Sequence, residues 1–353
     1  MTTSLTVVHV TESFASGTAA AIRDFARNYP SAEHHLVYAR RPEAAVGAAE
    51  FSGFAASTEL PGGHGARLRF IRRYLKGLNG PVVVHAHSSK GGVYARLAVR
   101  RSARRPVVYS PHCYSFERRD VGPAVRAVFR AAEWLLAFNT SAFGACSPRE
   151  ARLSRWPLAG PRIVTVPNVA GPCTIPAVNG PTPGDGLRVV GNGRLGAQKD
   201  PAFFADAIAC ARRTHPDLQA VWIGDGDPEY ARYLEDRRIE VTGWLARAEA
   251  LAELARGDVY LHTALWEGLP ISILEADAAG LPVVARTRPY LTGQRLPLTF
   301  AEPAEFADVL TALRTASDRA AVREATRVAL ADNCDGSQQV ALKELYGPYA
   351  GVR

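Results

Sequence analysis

Leu187-Arg188-Val189-Val190-Gly191-Asn192-Gly193-Arg194-Leu195-Gly196 reads as a buried strand that stops at a glycine-rich turn. A short β-branched run bounded by glycine suits a strand covered on both faces, as in a parallel sheet. The same pattern recurs along the 353 residues. Upstream, Leu5–Val10, Val82–His85, Val107–Tyr109, Ala142–Cys146 and Ile163–Val166 alternate with Ala/Arg-rich amphipathic stretches; downstream, Ala220–Ile223, Glu240–Val241, Val259–His262 and Pro282–Ala285 do the same. This alternation predicts an α/β architecture. Between the two sets, Pro167–Gly186 holds five prolines and four glycines, which excludes regular structure and marks a linker. The expected division is a first α/β domain over 1–166, the linker 167–186 and a second α/β domain over 187–337.

Charge follows the same division. The chain carries 42 Lys/Arg and 34 Asp/Glu, a net +8. Residues 1–170 contribute +13 and residues 171–353 contribute −5. Arg67 to Arg105 holds eleven basic residues and no acid. The 47% hydrophobic and 22% charged content is that of a globular chain and argues against disorder. No apolar run approaches the ~18–20 residues of a membrane span. Met1–Val10 lacks the basic start of a secretory signal. Five scattered cysteines without a C-x-x-C pair predict neither a disulfide framework nor a zinc site, and point to a reducing cytoplasm.

Gly191 to Gly196 spells G-x-G-x-x-G, but a dinucleotide loop runs straight into its helix, and Pro201 places the next helix start about five residues later. The intervening loop carries Arg194 and Lys199, a fork and a point charge suited to a diphosphate. Further on, Trp266-Glu267-Gly268-Leu269-Pro270 leads from a strand into a helix that carries Glu275. A helix N-terminus at a strand-end crevice favours anions, and two carboxylates there accept hydrogen bonds from hydroxyls. Phosphate donors beside hydroxyl acceptors are what a nucleotide sugar requires.

These motifs resemble retaining glycosyltransferase family 4. The likeness rests on E-x7-E (Glu267, Glu275), G-R-L-x-x-x-K (Arg194, Lys199), I-G-D-G-D (Ile223–Asp227), V-T-G-W-L (Val241–Leu245) and V-P-N-V (Val166–Val169). In the first domain, H-A-H-S-S-K-G-G (His85–Gly92), Y-S-P-H-C-Y-S-F (Tyr109–Phe116) and A-C-S-P-R-E (Ala145–Glu150) are similar to bacterial polysaccharide and cell-envelope members. The resemblance implies the GT-B fold, with two Rossmann-like parallel-sheet domains facing a central cleft. It also implies that the last helix, from about Gln338 to Tyr349 within 338–353, returns to the first domain. The implied activity is a retaining hexosyltransferase, with a UDP-sugar as the expected donor and a hydroxyl of a glycan or lipid-linked saccharide as acceptor.

Carried over residue by residue, the resemblance makes His112, Glu267, Arg194 and Lys199 the catalytic set. Gly193, Arg194 and Lys199 would meet the diphosphate, Glu275 the ribose, Trp244 and Leu245 the base, and Glu267, Gly268, Leu269 and Pro270 the donor sugar. Gly17 and Thr18 would approach the diphosphate from the first domain, although Ser16-Gly17 replaces the family's paired glycines. His87, Lys90, Arg69, Arg72 and Arg73 form the expected acceptor or membrane patch, which the basic residues from Arg96 to Arg105 widen. Apolar positions 68, 71, 74, 75 and 78 make one helical stripe there, which can face an anionic membrane or pack on the sheet.

Two patterns mimic metal sites. His85 and His87 share a strand face, and Asp225-Gly226-Asp227 imitates D-x-D but falls in a glycine-rich turn. No metal and no cofactor beyond the substrate is expected. Nucleic-acid binding is not expected, since aromatic interleaving is sparse and no recognition motif occurs. A sugar-nucleotide epimerase on the same fold and a catalytically idle nucleotide-sugar or glycan-binding subunit are the alternatives.

Overall fold

The computed structural model describes residues 5–40, 48–172 and 186–351. They form two compact units, one from residues up to Gly171 together with Asn333 onward, the other from Pro172 to Asp332. Most of the expected linker, 173–185, lies outside the described residues.

The first unit runs β1 (Thr6–Thr11), α1 (Ser16–Asn28), β2 (Glu33–Tyr38), β3 (Ala56–Glu59), α2 (His64–Lys76), β4 (Val82–His87), α3 (Ser88–Ala98), β5 (Val107–Ser110), α4 (Pro123–Ala137), β6 (Ala142–Ala145), α5 (Pro148–Leu153) and β7 (Arg162–Thr165). The second runs β8 (Arg188–Asn192), α6 (Pro201–Ala211), β9 (Gln219–Ile223), α7 (Pro228–Glu235), β10 (Glu240–Val241), α8 (Arg247–Leu254), β11 (Val259–His262), α9 (Ile271–Ala278), β12 (Val283–Arg286), β13 (Leu298–Phe300), α10 (Phe306–Thr311) and α11 (Ala316–Ala329). A last helix, α12 (Asp335–Tyr346), belongs to the first unit.

Both sheets are parallel, ordered β3-β2-β1-β4-β5-β6-β7 and β10-β9-β8-β11-β12-β13. The order reverses between β1 and β4 and between β8 and β11. Ligands of open parallel sheets bind outside the carboxyl ends of the strands at such reversals. Three strands escape the sequence pattern. β2 opens Glu33-His34-His35, β3 alternates half-buried with exposed positions at the sheet edge, and β13 has three residues. None is a continuous apolar run.

Gly91 and Gly92 of the H-S-S-K-G-G motif explain how α3 sits on the sheet. A Cβ on Gly91 would lie 2.9 Å from the Val10 carbonyl oxygen, and one on Gly92 2.5 Å from the Tyr109 ring. α12 packs Leu342, Leu345 and Tyr346 into the core beside Val7, Phe25 and Val83. Arg27 pairs with Asp335 at 2.6 Å, and Asn28 donates to Gln338 at 2.7 Å.

The basic stretch divides under this packing. Ile71 and Leu75 of α2 are buried and Leu68, Tyr74 and Leu78 pack against the same core, so the apolar stripe faces the sheet. Arg72 donates to the Ala98 and Leu97 carbonyls, while Arg69 and Arg73 are exposed. Arg96, expected to widen the surface patch, is instead buried. It pairs with Glu133 at 2.8 Å and lies 3.8 Å from the Tyr109 ring centroid. Breaking a buried pair strands the surviving charge, so Arg96→Met is expected to cost about 3–5 kcal/mol in urea unfolding. Adding Glu133→Leu should recover most of that loss. Equal stability of Arg96→Met and wild type would refute the pairing.

Candidate active site

In the second unit the loop after β8 is built by close backbone approach. Gly193 has φ +130°, and a Cβ there would strike the Lys199 side chain at 2.7 Å. Gly224, at φ +138°, would place a Cβ 2.3 Å from the Gly193 oxygen. The I-G-D-G-D turn braces this loop, with Leu195 N–H donating to the Asp225 oxygen and Asp227 N–H donating to the Leu195 oxygen. Its carboxylates serve local structure. Asp225 accepts from Gly226 N–H at 2.7 Å, and Asp227 caps α7 through Glu229 N–H at 2.9 Å.

The same loop is pinned to the one after β11. Thr263 donates its hydroxyl proton to the Lys199 oxygen at 2.8 Å, Leu265 N–H to the Gln198 oxygen, and the Gln198 amide to the Trp266 oxygen. This brings Lys199 Nζ to 2.7 Å from Glu267 Oε1, joining two residues that the sequence placed in separate motifs. Arg194 is exposed at the turn, with no ion pair among the described residues. Gly268, Leu269 and Pro270 lead buried into α9, whose first turn has neither an acidic residue nor a side-chain cap. Its N–H groups and dipole therefore favour an anion.

Glu275, on α9, pairs with Arg247 at 2.7 Å. Arg247 opens α8 shortly after Trp244, whose indole is 46% exposed, and Leu245, which is half-buried. The sequence reading missed Arg247; its nearness to V-T-G-W-L was the available signal. It also missed the buried pair Tyr260 and His262 at the end of β11. The Tyr260 hydroxyl donates to Asn192 at 2.8 Å and lies 3.2 Å from His262 Nδ1.

In the first unit, Gly17 and Thr18 open α1 after β1, and Ser88 opens α3 after β4, so both flank the reversal in strand order. The Thr18 and Ser88 hydroxyls lie 3.4 Å apart. His112 follows β5 with φ +51°, and Cys113 follows with φ +94°. Left-handed backbone at two non-glycine residues must be held from outside. The buried Glu150 does so. Its carboxylate accepts from Cys113 N–H and from Cys146 N–H, each at 2.8 Å. Burial pushes the Glu150 carboxyl upward.

His87 is a correction. It is fully buried and cannot belong to an exposed patch, because its ring joins a network of imidazoles beneath the site. Lys90 is exposed and pairs with Glu12 at 3.1 Å. His9 completes a cluster with His85 and His87 whose nitrogens lie within 4.8 Å of one another. Those nitrogens already bond to protein groups. His9 meets His87 and His34, while His85 meets the Tyr346 and Ser110 hydroxyls at 2.6 and 2.9 Å.

A profile described as "Glycosyl transferases group 1" matches residues 186–315, and one described as "Glycosyl transferase 4-like domain" matches residues 16–169. The chain belongs to the glycosyltransferases of the GT-B fold. It is 31% identical over 223 residues to the UDP-Gal:α-D-GlcNAc-diphosphoundecaprenol α-1,3-galactosyltransferase of Escherichia coli. That match spans 57% of this chain and 57% of the relative, little more than half of either. Anabaena HepE, solved with UDP and glucose, shares the fold with a TM-score of 0.75 at 17% identity, over 98% of this chain and 100% of its own. Sucrose-phosphate synthase from Thermosynechococcus elongatus superposes with a TM-score of 0.77 at 15% identity, covering 98% of each chain.

Burial depresses His9, His34, His85 and His87, and pushes His112 down to about 4. An unfolded histidine titrates near ~6.5. Below that value the unfolded chain binds protons that the folded chain does not. Stability is therefore full above pH ~6.5 and falls as the pH drops towards His112's value of about 4. Each such histidine changes the unfolding constant by up to about tenfold per pH unit. Urea midpoints should fall clearly between pH 7 and pH 5; a flat profile would remove the neutral network.

Proposed function

We propose that this protein transfers a hexosyl group from a UDP-sugar to a hydroxyl of a lipid-linked saccharide, with retention and without a divalent metal. One observation carries the reading. The Lys199–Glu267 pair, the exposed Arg194 and the uncapped start of α9 share the carboxyl edge of the second sheet. Arg194 and Lys199 bind the diphosphate, and Glu275, oriented by Arg247, accepts from the ribose hydroxyls. Trp244 offers an aromatic face to the base, and Glu267 with the backbone of Gly268 to Pro270 meets the transferred sugar. The E. coli relative, named for a UDP-sugar donor and a diphosphoundecaprenol-linked acceptor, supports the choice of both substrates.

In the reaction, the bond between the sugar's C1 and the β-phosphate oxygen breaks with its electron pair passing to that oxygen. The acceptor oxygen bonds to C1 on the same face, and its proton goes to the departing phosphate. Arg194, Lys199 and the α9 dipole stabilise the developing charge electrostatically. Because the two cations serve the diphosphate, and Asp225 and Asp227 have turn and cap roles, the reading assigns no step to a metal.

The acceptor's lipid places the chain at the cytoplasmic membrane face. No described helix is long and apolar enough to cross a membrane. The surface that fits a bilayer is α4 and its continuation, where Val125, Val128, Leu135 and Phe138 are exposed. This apolar stripe suits the lipid boundary, and the exposed cations of α2, Arg69, Arg72, Arg73 and Lys76, suit anionic headgroups.

UDP-galactose or UDP-glucose is expected to raise the thermal stability of wild type, since a ligand at 100 times its Kd adds about 2.7 kcal/mol. Lys199→Ala and Glu275→Ala should lose that shift and at least about tenfold in transfer rate, and a chelator should leave the wild-type rate unchanged. Unchanged shifts in both variants would remove the donor site. Val128→Glu with Leu135→Glu should abolish sedimentation with vesicles containing phosphatidylglycerol; equal binding of both forms would exclude α4.

A further inference from the structure

Four imidazoles of the first unit form an unbroken line of hydrogen bonds. The Tyr29 main-chain oxygen lies 2.9 Å from His34 Nε2, and His34 Nδ1 lies 2.9 Å from His9 Nε2. His9 Nδ1 lies 2.9 Å from His87 Nε2, and His87 Nδ1 lies 2.9 Å from His112 Nε2. Every ring-to-ring link joins an Nε2 to an Nδ1. A main-chain carbonyl only accepts, so His34 Nε2 must carry the proton, and a neutral imidazole has one N–H. His34 Nδ1 is then an acceptor, which requires His9 to be protonated on Nε2. The same argument passes through His87 to His112. Burial keeps all four rings neutral near pH 7. At the far end, His112 Nδ1 is left as a lone pair, with no protein partner among the described residues.

We propose that His34, His9 and His87 are positioning residues that lock His112 in its Nε2–H form, so that Nδ1 stands at the carboxyl edge of the first sheet as a fixed acceptor for a substrate hydroxyl. The substrate role rests on the sugar-transfer function proposed above; the tautomer assignment does not. The walls favour a single arrangement. Phe54 packs edge-on to His9 at 6.1 Å, and Phe25 lies 5.9 and 6.2 Å from His87 and His112. Neither ring offers a competing acceptor. Nor does the line drain protons, because the Tyr29 oxygen cannot take one up. A proton arriving at His112 Nδ1 can only leave by the same end. The line therefore sets a tautomer and does not conduct.

The test is long-range proton–nitrogen correlation of the full chain labelled with 15N-histidine, with turnover of UDP-galactose measured alongside. Wild type should show His34, His9, His87 and His112 as Nε2–H tautomers at pH 7. His9→Phe cuts the line, so His112 should become a tautomer mixture and the turnover rate should fall about tenfold, with KM for the donor little changed. His9→Gln presents a carbonyl to His87 and an amide to His34, which preserves the polarity; it should restore the single His112 tautomer and most of the rate. An Nδ1–H or mixed His112 in wild type would overturn the proposal. So would a His9→Phe variant whose His112 tautomer changes without any change in rate, or that changes neither. Absence of UDP-hexose turnover in wild type would overturn the substrate role together with the sugar-transfer reading, with the spectra still deciding the tautomer lock.

Discussion

Burial of both sheet faces is the constraint from which the rest follows. Val7, Val8 and Val10 of β1, Val83 and Val84 of β4, and Val189 and Val190 of β8 have no exposed surface. A parallel strand covered in this way offers nothing to solvent along its length, and its crossovers occupy both faces. Chemistry is confined to the ends, where the chain leaves one strand before entering its helix. At the carboxyl edge, helices begin and present N–H groups, so the same geometry that buries the strands also aims donors at an anion. Gly17, Ser88 and His112 in the first unit, and Arg194, Glu267 and Trp244 in the second, all lie at such exits.

Holding those exits in shape requires irregular backbone, and the two units solve this differently. The second relies on glycine. Gly193 and Gly224 approach so closely that neither tolerates a Cβ, and this places the Lys199 stem against the turn. The first tolerates His112 and Cys113 in left-handed geometry because Glu150 accepts two backbone N–H groups on its two oxygens. A carboxylate accepts at both ends, whereas an amide would turn one end into a donor facing a donor. The A-C-S-P-R-E motif therefore acts through the neighbouring loop.

Much of this was legible. Ten apolar runs became strands, because burial on both faces writes itself as uninterrupted hydrophobic sequence. Lys199 and Glu267, named from separate motifs, meet because each follows a strand adjacent to the reversal in order. The histidine line was not legible. His9 sits in an apolar strand and His34 in one that the pattern missed, and their link to His112 depends on lateral neighbours that only the sheet order supplies. His87 was misplaced for the same reason. Spacing alone does not show which face of a central strand is covered. Arg96 was misread because a cation in a basic stretch looks solvated until its partner, Glu133, is seen on another helix.

The charge asymmetry gains a finer meaning from these placements. A cation that donates to a carbonyl keeps its charge, so Arg72 still contributes to the field of the first unit, whereas Arg96 is neutralised by Glu133. What α2 loses by packing on the sheet is its apolar face alone; Arg69, Arg72, Arg73 and Lys76 remain exposed. The apolar contribution lies elsewhere, on α4, with α3 packed against both helices. A membrane-binding helix usually carries both properties on one surface. Here charge and apolar contact sit on separate helices, an arrangement that leaves α2 free to complete the core. In the membrane contact proposed above, an anionic surface would be attracted through α2 and gripped through α4, so that losing the α2 charges should weaken binding and losing the α4 face abolish it, without unfolding the sheet.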